Sequence, residues 1–186
     1  MSRPCPARPR RHAGFTLLEL LIALIVLGLL FGVAVPAWGH AVARVHATSA
    51  RTAITATLFD AQRNATVLGR EVVVCPASGD ACDGGNDWSH GWIAFVDANG
   101  NRLRDGTEPV FDRTPALPED VRLTGSAGRP RLVFQPYGGN AGSNITFTLC
   151  DRRGPDDARA LILSNGGRLR ADRPTPAAAA ACTTGL

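Results

Sequence analysis

Residues 15–35 read FTLLELLIALIVLGLLFGVAV. This run of roughly 20 apolar residues is long enough to cross a bilayer as a helix. Two features separate it from a plain anchor. It follows a short basic leader ending at Gly14, and it carries one carboxylate, Glu19, near its N-terminal end. A lone ionised group in hydrocarbon costs at least ~2.5 kcal/mol, so Glu19 asks for a partner. The rest of the chain reads as the cargo of this helix.

The chain has 186 residues, enough for one anchor and one domain of ordinary size. The domain is polar and rich in Gly and Pro, as loop-heavy β structures are. All 20 basic residues are Arg. The net charge of +4 invites a nucleic-acid reading, but Arg3, Arg8, Arg10 and Arg11 lie in the leader. The 16 Arg that remain equal the 16 acids. That neutrality hides a polarity along the chain. Residues 60–121 hold 5 Arg and 11 acids, whereas residues 122–186 hold 9 Arg and 4 acids. Basic chemistry therefore belongs to the C-terminal part.

The leader, residues 1–14, has no apolar core of its own. A secretory signal cut near residues 34–37 is the competing reading of the first 40 residues, and it implies a free periplasmic β domain. Gly14-Phe15-Thr16-Leu17-Leu18-Glu19 followed by an unbroken apolar helix resembles the precursors of type IV pilins and pseudopilins. The resemblance implies cleavage between Gly14 and Phe15 by a prepilin peptidase, with N-methylation of Phe15. It also implies that Glu19 pairs with the N-terminal amine of a neighbouring subunit. The physics agrees, because a carboxylate inside lipid wants a cation. Pro36 matches the family's helix-weakening proline, which removes a hydrogen bond and permits a kink.

Residues 37–69 contain no Pro, and no Gly between Gly39 and Gly69, so the helix is expected to continue into solvent. Leu58, Phe59 and Ala65 are expected on its domain-facing side, and Gly69 is expected to cap its end. His40 and His46 are read as solvated stalk positions. From residue 70 the period changes to strands. Apolar runs at 72–74, 92–96, 131–135, 145–149 and 160–164 stand between turn signals. The expected fold is α+β, a long N-terminal helix packed on antiparallel β-sheet. It divides into a leader (1–14), a transmembrane and assembly helix (15–36), its soluble continuation (37–69) and a β-rich domain (70–186).

Cys75, Cys82, Cys150 and Cys182 would lie outside the membrane if the Arg-rich leader stays inside, where disulfides persist. Four cysteines allow three pairings. The short-range one, Cys75 with Cys82 and Cys150 with Cys182, is preferred. Zinc is the rival, but neither pair has C-x-x-C spacing.

Two stretches suggest sites. Residues 97–108, DANGNRLRDGTE, place oxygen ligands at the spacing of a calcium loop. The position that needs Gly for its sharp turn is Arg102, so an Asx-rich turn without metal is the expected reading. Residues 161–170, LILSNGGRLR, read as a hairpin with Asn165-Gly166 at its turn. Alternation puts Leu169 inward and Arg168 and Arg170 outward, at about 6.5–7 Å from each other, near the spacing of successive phosphates. Arg152, Arg153, Arg159 and Arg173 are candidates to extend the patch.

Val74-Cys75-Pro76, Cys82, Trp88, Gly91-Trp92, Phe95-Val96-Asp97 and residues 147–151 narrow the resemblance to the GspH/FimT family. Gly167-Arg168-Leu169-Arg170 is similar to the G-R-x-R motif of DNA-binding FimT minor pilins used in natural transformation. The resemblance implies a single-pass inner-membrane protein with a periplasmic domain, incorporated into a fibre with other pilins and binding DNA non-specifically through Arg168 and Arg170. A GspH-like pseudopilin of type II secretion, with a purely structural role, is the alternative. No cofactor motif is present. Asp87, Ser89 and His90 supply the residue types of a catalytic triad, but sequence adjacency in a loop is not triad geometry, so no enzyme is expected.

Overall fold

The structure, a computed structural model, describes residues 16–186. The leader and the Gly14-Phe15 junction lie outside the described residues. The chain forms two compact units, Met1–Gly39 and His40–Leu186.

Within the first unit, helix α1 (Leu17–Leu68) begins. Thr16 caps it, its hydroxyl accepting from the Glu19 amide at 3.2 Å. With Glu19 three residues on, this is the start signal Thr-x-x-Glu. The apolar side chains from Leu17 to Val35 are exposed in this single chain. By length and composition the segment can cross a membrane. The chain is helical throughout α1, Pro36 included.

In the second unit, α1 buries Ala43, Ala47, Ala50, Ile54, Leu58, Ala61 and Ala65. Steps of three and four residues make one stripe, and its alanines let the helix approach the sheets closely. Phe59, expected on this stripe, is instead 53% exposed, because it is rotated about 100° from Leu58. Gly69 adopts the left-handed conformation (φ 62°) that ends the helix. The Arg70 amide then reaches back to the Ala65 carbonyl at 3.3 Å, a Schellman closure. His46 is not simply solvated: its Nδ1 lies 2.8 Å from the Asp120 carboxylate.

Two four-stranded antiparallel sheets follow. The first joins β1 (Glu71–Pro76), β2 (Trp92–Asp97), β3 (Val110–Thr114) and β5 (Leu132–Phe134) in the order β3-β2-β1-β5. The second joins β4 (Val121–Gly125), β6 (Ile145–Asp151), β7 (Arg159–Leu163) and β8 (Leu169–Asp172) in chain order. One core unites the α1 stripe with Val72, Val74, Trp92, Phe134, Phe147, Leu161 and their neighbours. Trp88 meets Phe147 edge to face in it, with ring centroids 5.1 Å apart.

The disulfides are Cys75–Cys82 and Cys150–Cys182, the preferred short-range pairing. The second ties a C-terminal helix, α2 (Pro176–Thr183), onto β6. That helix was not anticipated. Its start is legible afterwards in Thr175, whose hydroxyl accepts from Ala178, and in Pro176 in the first turn. Its alanine run has no amphipathic stripe to announce it.

Candidate nucleic-acid interface

The β7–β8 hairpin forms as its sequence indicates, with Leu163 opposite Leu169 and Ile162 opposite Arg170. Its turn runs from Ser164 to Gly167. The Gly167 amide donates to the Ser164 carbonyl at 2.9 Å, and the Ser164 amide donates to the Arg168 carbonyl at 3.0 Å. Asn165 and Gly166 sit at the centre of this turn. The left-handed residue, though, is Gly167 (φ 77°), so it is a three-residue loop with a bulge. A Cβ on Gly167 would stand 2.3 Å from the Gln62 amide nitrogen and 2.5 Å from the Gly138 carbonyl. Gln62 itself donates to that carbonyl at 2.7 Å. The tip is thus held against α1 and the 138 loop, and Arg168 leaves from a fixed base.

Parity along the strands sorts the cations. Leu161 and Leu163 face the core shared with α1, and Leu169 packs against that core. Arg170 therefore lies on the other face of the second sheet, and Arg168 is in phase with it. Both are exposed. Among the described residues, no hydrogen bond or ion pair engages the Arg168 guanidinium. Arg170 pairs with Asp172 at 3.1 Å, both being about half exposed. Such a pair is worth about 0–1 kcal/mol and yields readily to a better anion. Asp172 is the member of the patch the sequence reading missed, although the i, i+2 spacing on one strand signals it.

The four candidate extensions divide. Arg152 and Arg173 are exposed. Arg153 is committed elsewhere: Nε and Nη2 make a bidentate pair with Asp151 at 2.9 and 2.7 Å, and Nη1 reaches Asp157 at 2.9 Å. Its side chain is only 11% exposed, and the Asp151 hydrogen bonds raise its pKa further against the opposing effect of burial. Such a closed, shielded pair leaves little for a ligand. Arg159 shares the parity of Leu161, so it projects on the α1 side and not with Arg168 and Arg170. The patch is smaller than the cation count suggests.

The other two candidate stretches form turns closed by their own hydrogen bonds. In the 97–108 loop the Asp97 carboxylate accepts from the Gly100 and Arg102 amides at 2.7 and 2.8 Å. Glu108 accepts from the Ala98 and Asp105 amides. Both carboxylates are buried by these bonds. Arg102 takes the sharp-turn conformation (φ 60°) despite its side chain. In the 87–90 segment, Ser89 Oγ accepts from the Leu123 amide at 3.0 Å, fastening the segment to β4. Asp87 accepts from the Ser89 amide at 2.9 Å. Burial alone would raise the Asp87 pKa, but Ser89, Arg122 and His90 together hold it below its ordinary value of 3.8.

A lowered carboxylate pKa stabilises the fold above the unfolded value, and that stabilisation is lost as pH falls through the folded value. Wild type is therefore expected to exceed Asp87→Asn in stability at pH 5–7, with the gap closing below about pH 3.8. Urea unfolding of both proteins across that range checks it.

A helix-led α+β domain with an apolar N-terminal segment defines a pilin-like protein. Comparisons sharpen the class. Residues 41–167 match the family described as type II transport protein GspH. Residues 9–35 match the prokaryotic N-terminal methylation motif. The chain is 30% identical over 168 residues to the pilin-like protein PilA1 of Thermus thermophilus, covering 84% of this chain and 96% of that one. The fold is similar to two crystal forms of the type IV minor pilin FimU of Pseudomonas aeruginosa, each 18% identical. Their TM-scores are 0.52 and 0.55, covering 69% and 72% of this chain and 91% and 90% of those chains. The chain belongs to the GspH family of pilin-like proteins. Arg168 and Arg170 lie just beyond the residues that match it.

Proposed function

We propose that this protein is a minor pilin whose β7–β8 hairpin binds DNA without sequence preference, serving DNA uptake in natural transformation. Peptidase cleavage between Gly14 and Phe15, methylation of Phe15 and pairing of Glu19 with a neighbouring subunit's amine bring it into the fibre. Until assembly the apolar segment holds it in the inner membrane, with the His40–Leu186 unit in the periplasm. The observation that carries the DNA reading is the Arg168–Arg170 pair on an exposed edge strand, next to a turn held from behind. Two guanidinium groups at phosphate spacing neutralise backbone charge and read no bases. Arg152 and Arg173 are secondary contacts. One subunit binds weakly, and several in a fibre gain avidity.

A gel shift with duplexes of unrelated sequence tests this. Affinity is expected to fall steeply with salt. In Arg168→Ala/Arg170→Ala the slope of log K against log salt is expected to flatten by about 2. Asp172→Ala frees Arg170 and is expected to tighten binding. Equal binding by the double variant and wild type would remove these residues from the role. A structural pseudopilin of type II secretion is the second reading, favoured by the family match over residues 41–167. Absence of DNA binding even at low salt selects it.

A further inference from the structure

Two hairpin tips stand side by side in the His40–Leu186 unit. One is the Ser164–Gly167 turn from which Arg168 leaves. The other, Gln135-Pro136-Tyr137-Gly138, follows β5. Pro136 presets the backbone at its second position, and the Gly138 amide closes it on the Gln135 carbonyl at 2.8 Å. Gly138 is left-handed (φ 86°), and the Gln135 amide donates to the Gly139 carbonyl at 2.8 Å. This tip therefore has the same bulged form as its neighbour. The two are tied together. The Asn140 amide donates to the Asn165 carbonyl at 2.7 Å, and Gln62 of α1 holds the Gly138 carbonyl that Gly167 abuts.

What the second tip presents is an aromatic ring. Tyr137 is 79% exposed, more than any other large apolar or aromatic side chain of this unit. One side of its ring lies on Gly139, where a Cβ would stand 2.4 Å from Cε2 and 3.1 Å from Cδ2. The same Cβ would stand 3.0 Å from the Asn165 carbonyl oxygen, so the ring settles against backbone that itself touches the hairpin turn. Among the described residues, no other ring stacks on Tyr137 and its hydroxyl makes no hydrogen bond. The fold thus seats the ring and leaves most of it bare. A seated tyrosine loses little rotamer freedom when a ligand covers it.

From this pairing of tips we infer that Tyr137 is a stacking platform for an unpaired DNA base, with Arg168 and Arg170 holding phosphates of the same strand, so that the site takes single-stranded DNA. The two chemistries together select that ligand. Guanidinium groups alone serve any polyanion, and a bare ring alone serves any apolar surface. A π-face beside a free guanidinium matches a polymer that alternates bases with phosphates. A base inside a duplex is already stacked on both faces, whereas an unpaired base has a face to give. Every base has such a face, so the site stays without sequence preference. Resting on the DNA reading of the Arg168–Arg170 hairpin, this role adds a residue and a strand state to it.

Gel shifts of the full-length protein in mild detergent test the role with three probes: oligothymidylate, an abasic strand of the same length, and a relaxed, covalently closed circular duplex. Wild type is expected to bind oligothymidylate about tenfold more tightly than the abasic strand. Tyr137→Ala is expected to lose that tenfold, and to match wild type on the abasic strand and on the duplex. Tyr137→Phe keeps the ring without the hydroxyl and is expected to bind all three as wild type does. Equal binding of oligothymidylate by Tyr137→Ala and wild type overturns the stacking role. So does a loss in Tyr137→Phe, or an equal loss by Tyr137→Ala on all three probes, which would make Tyr137 a support of the hairpin. In each of these cases duplex binding by wild type leaves the DNA reading standing. Failure of wild type to bind any probe overturns that reading and the stacking role with it.

Discussion

Replacing Trp92 by alanine is expected to destabilise the His40–Leu186 unit by about 3–5 kcal/mol, within the range for truncating a fully buried aromatic. Trp92 opens β2, pairs in register with Pro76 and Thr114, and is completely buried. Its ring belongs to the core that joins α1 to both sheets. Its indole N–H donates to the Thr57 hydroxyl at 3.0 Å, and that hydroxyl donates in turn to Asp112. One side chain thus links the helix, β2 and β3 by packing and by a relay of hydrogen bonds. Trp92→Phe keeps most of the packing and removes the first bond, so a smaller loss of roughly 1–2 kcal/mol is expected. Urea unfolding of the two variants separates these contributions. With m near 2 kcal/mol/M, the alanine variant is expected to move the midpoint by ~2 M. Equal losses in both variants would assign the effect to the hydrogen bond alone.

The importance of Trp92 was only half legible in the sequence. The run Trp92-Ile93-Ala94-Phe95-Val96 announced a buried strand, and β2 is buried along its length. Nothing local announced its partner on α1, Thr57, 35 residues earlier. The helix itself was legible because its stripe repeats every three to four residues and Gly69 ends it. Phe59 points outward despite its apolarity, because its angular position on α1 falls off the buried stripe. Strands β3 and β4 escaped for different reasons. Edge strand β3 (VFDRT) buries no side chain fully, while β4 (VRLTG) has only Val121 and Leu123 to mark its alternation.

At the candidate site the same limit applies. The turn residues and the outward phase of Arg168 and Arg170 are local properties, and they were readable. That Arg159 faces α1 follows from its sharing the parity of Leu161, but which face of β7 meets α1 is set by tertiary packing. Arg153 is occupied by Asp151 and Asp157, two and four residues away, through the turn that folds between them. What the geometry leaves is a short cationic patch in which Asp172 competes for Arg170.

The second large effect is expected from the C-terminal disulfide. On the chain-entropy account a bridge spanning 32 residues stabilises by about 3.7 kcal/mol, against about 2.5 for one spanning 7. Cys150→Ser/Cys182→Ser is therefore expected to cost more than Cys75→Ser/Cys82→Ser. Serine enters an apolar cluster in both variants, since Cys75 is buried with Val73, Ile93, Phe95 and Val133 and Cys150 and Cys182 with Ala158 and Ala179, so loop length decides the order. The consequence reaches the hairpin. Helix α2 follows directly on β8, a four-residue edge strand paired only with β7. The bridge closes a loop containing β7, the turn, β8 and α2, so it restrains the segment that carries Arg168 and Arg170. Without it, α2 keeps only its packing on β6, β4 and the 155–157 turn, and β8 is expected to fray first, as short edge elements do. Trypsin provides the readout, because Arg168 and Arg170 are its sites, whereas Arg173 precedes Pro174 and is not cut. Cleavage at these two arginines is expected to accelerate at least tenfold in the Cys150→Ser/Cys182→Ser variant, well below its unfolding midpoint. The Cys75→Ser/Cys82→Ser variant is expected to keep the wild-type cleavage rate there. If both variants are cut at the hairpin equally, the bridge stabilises the unit globally and does not hold the β8 edge in particular.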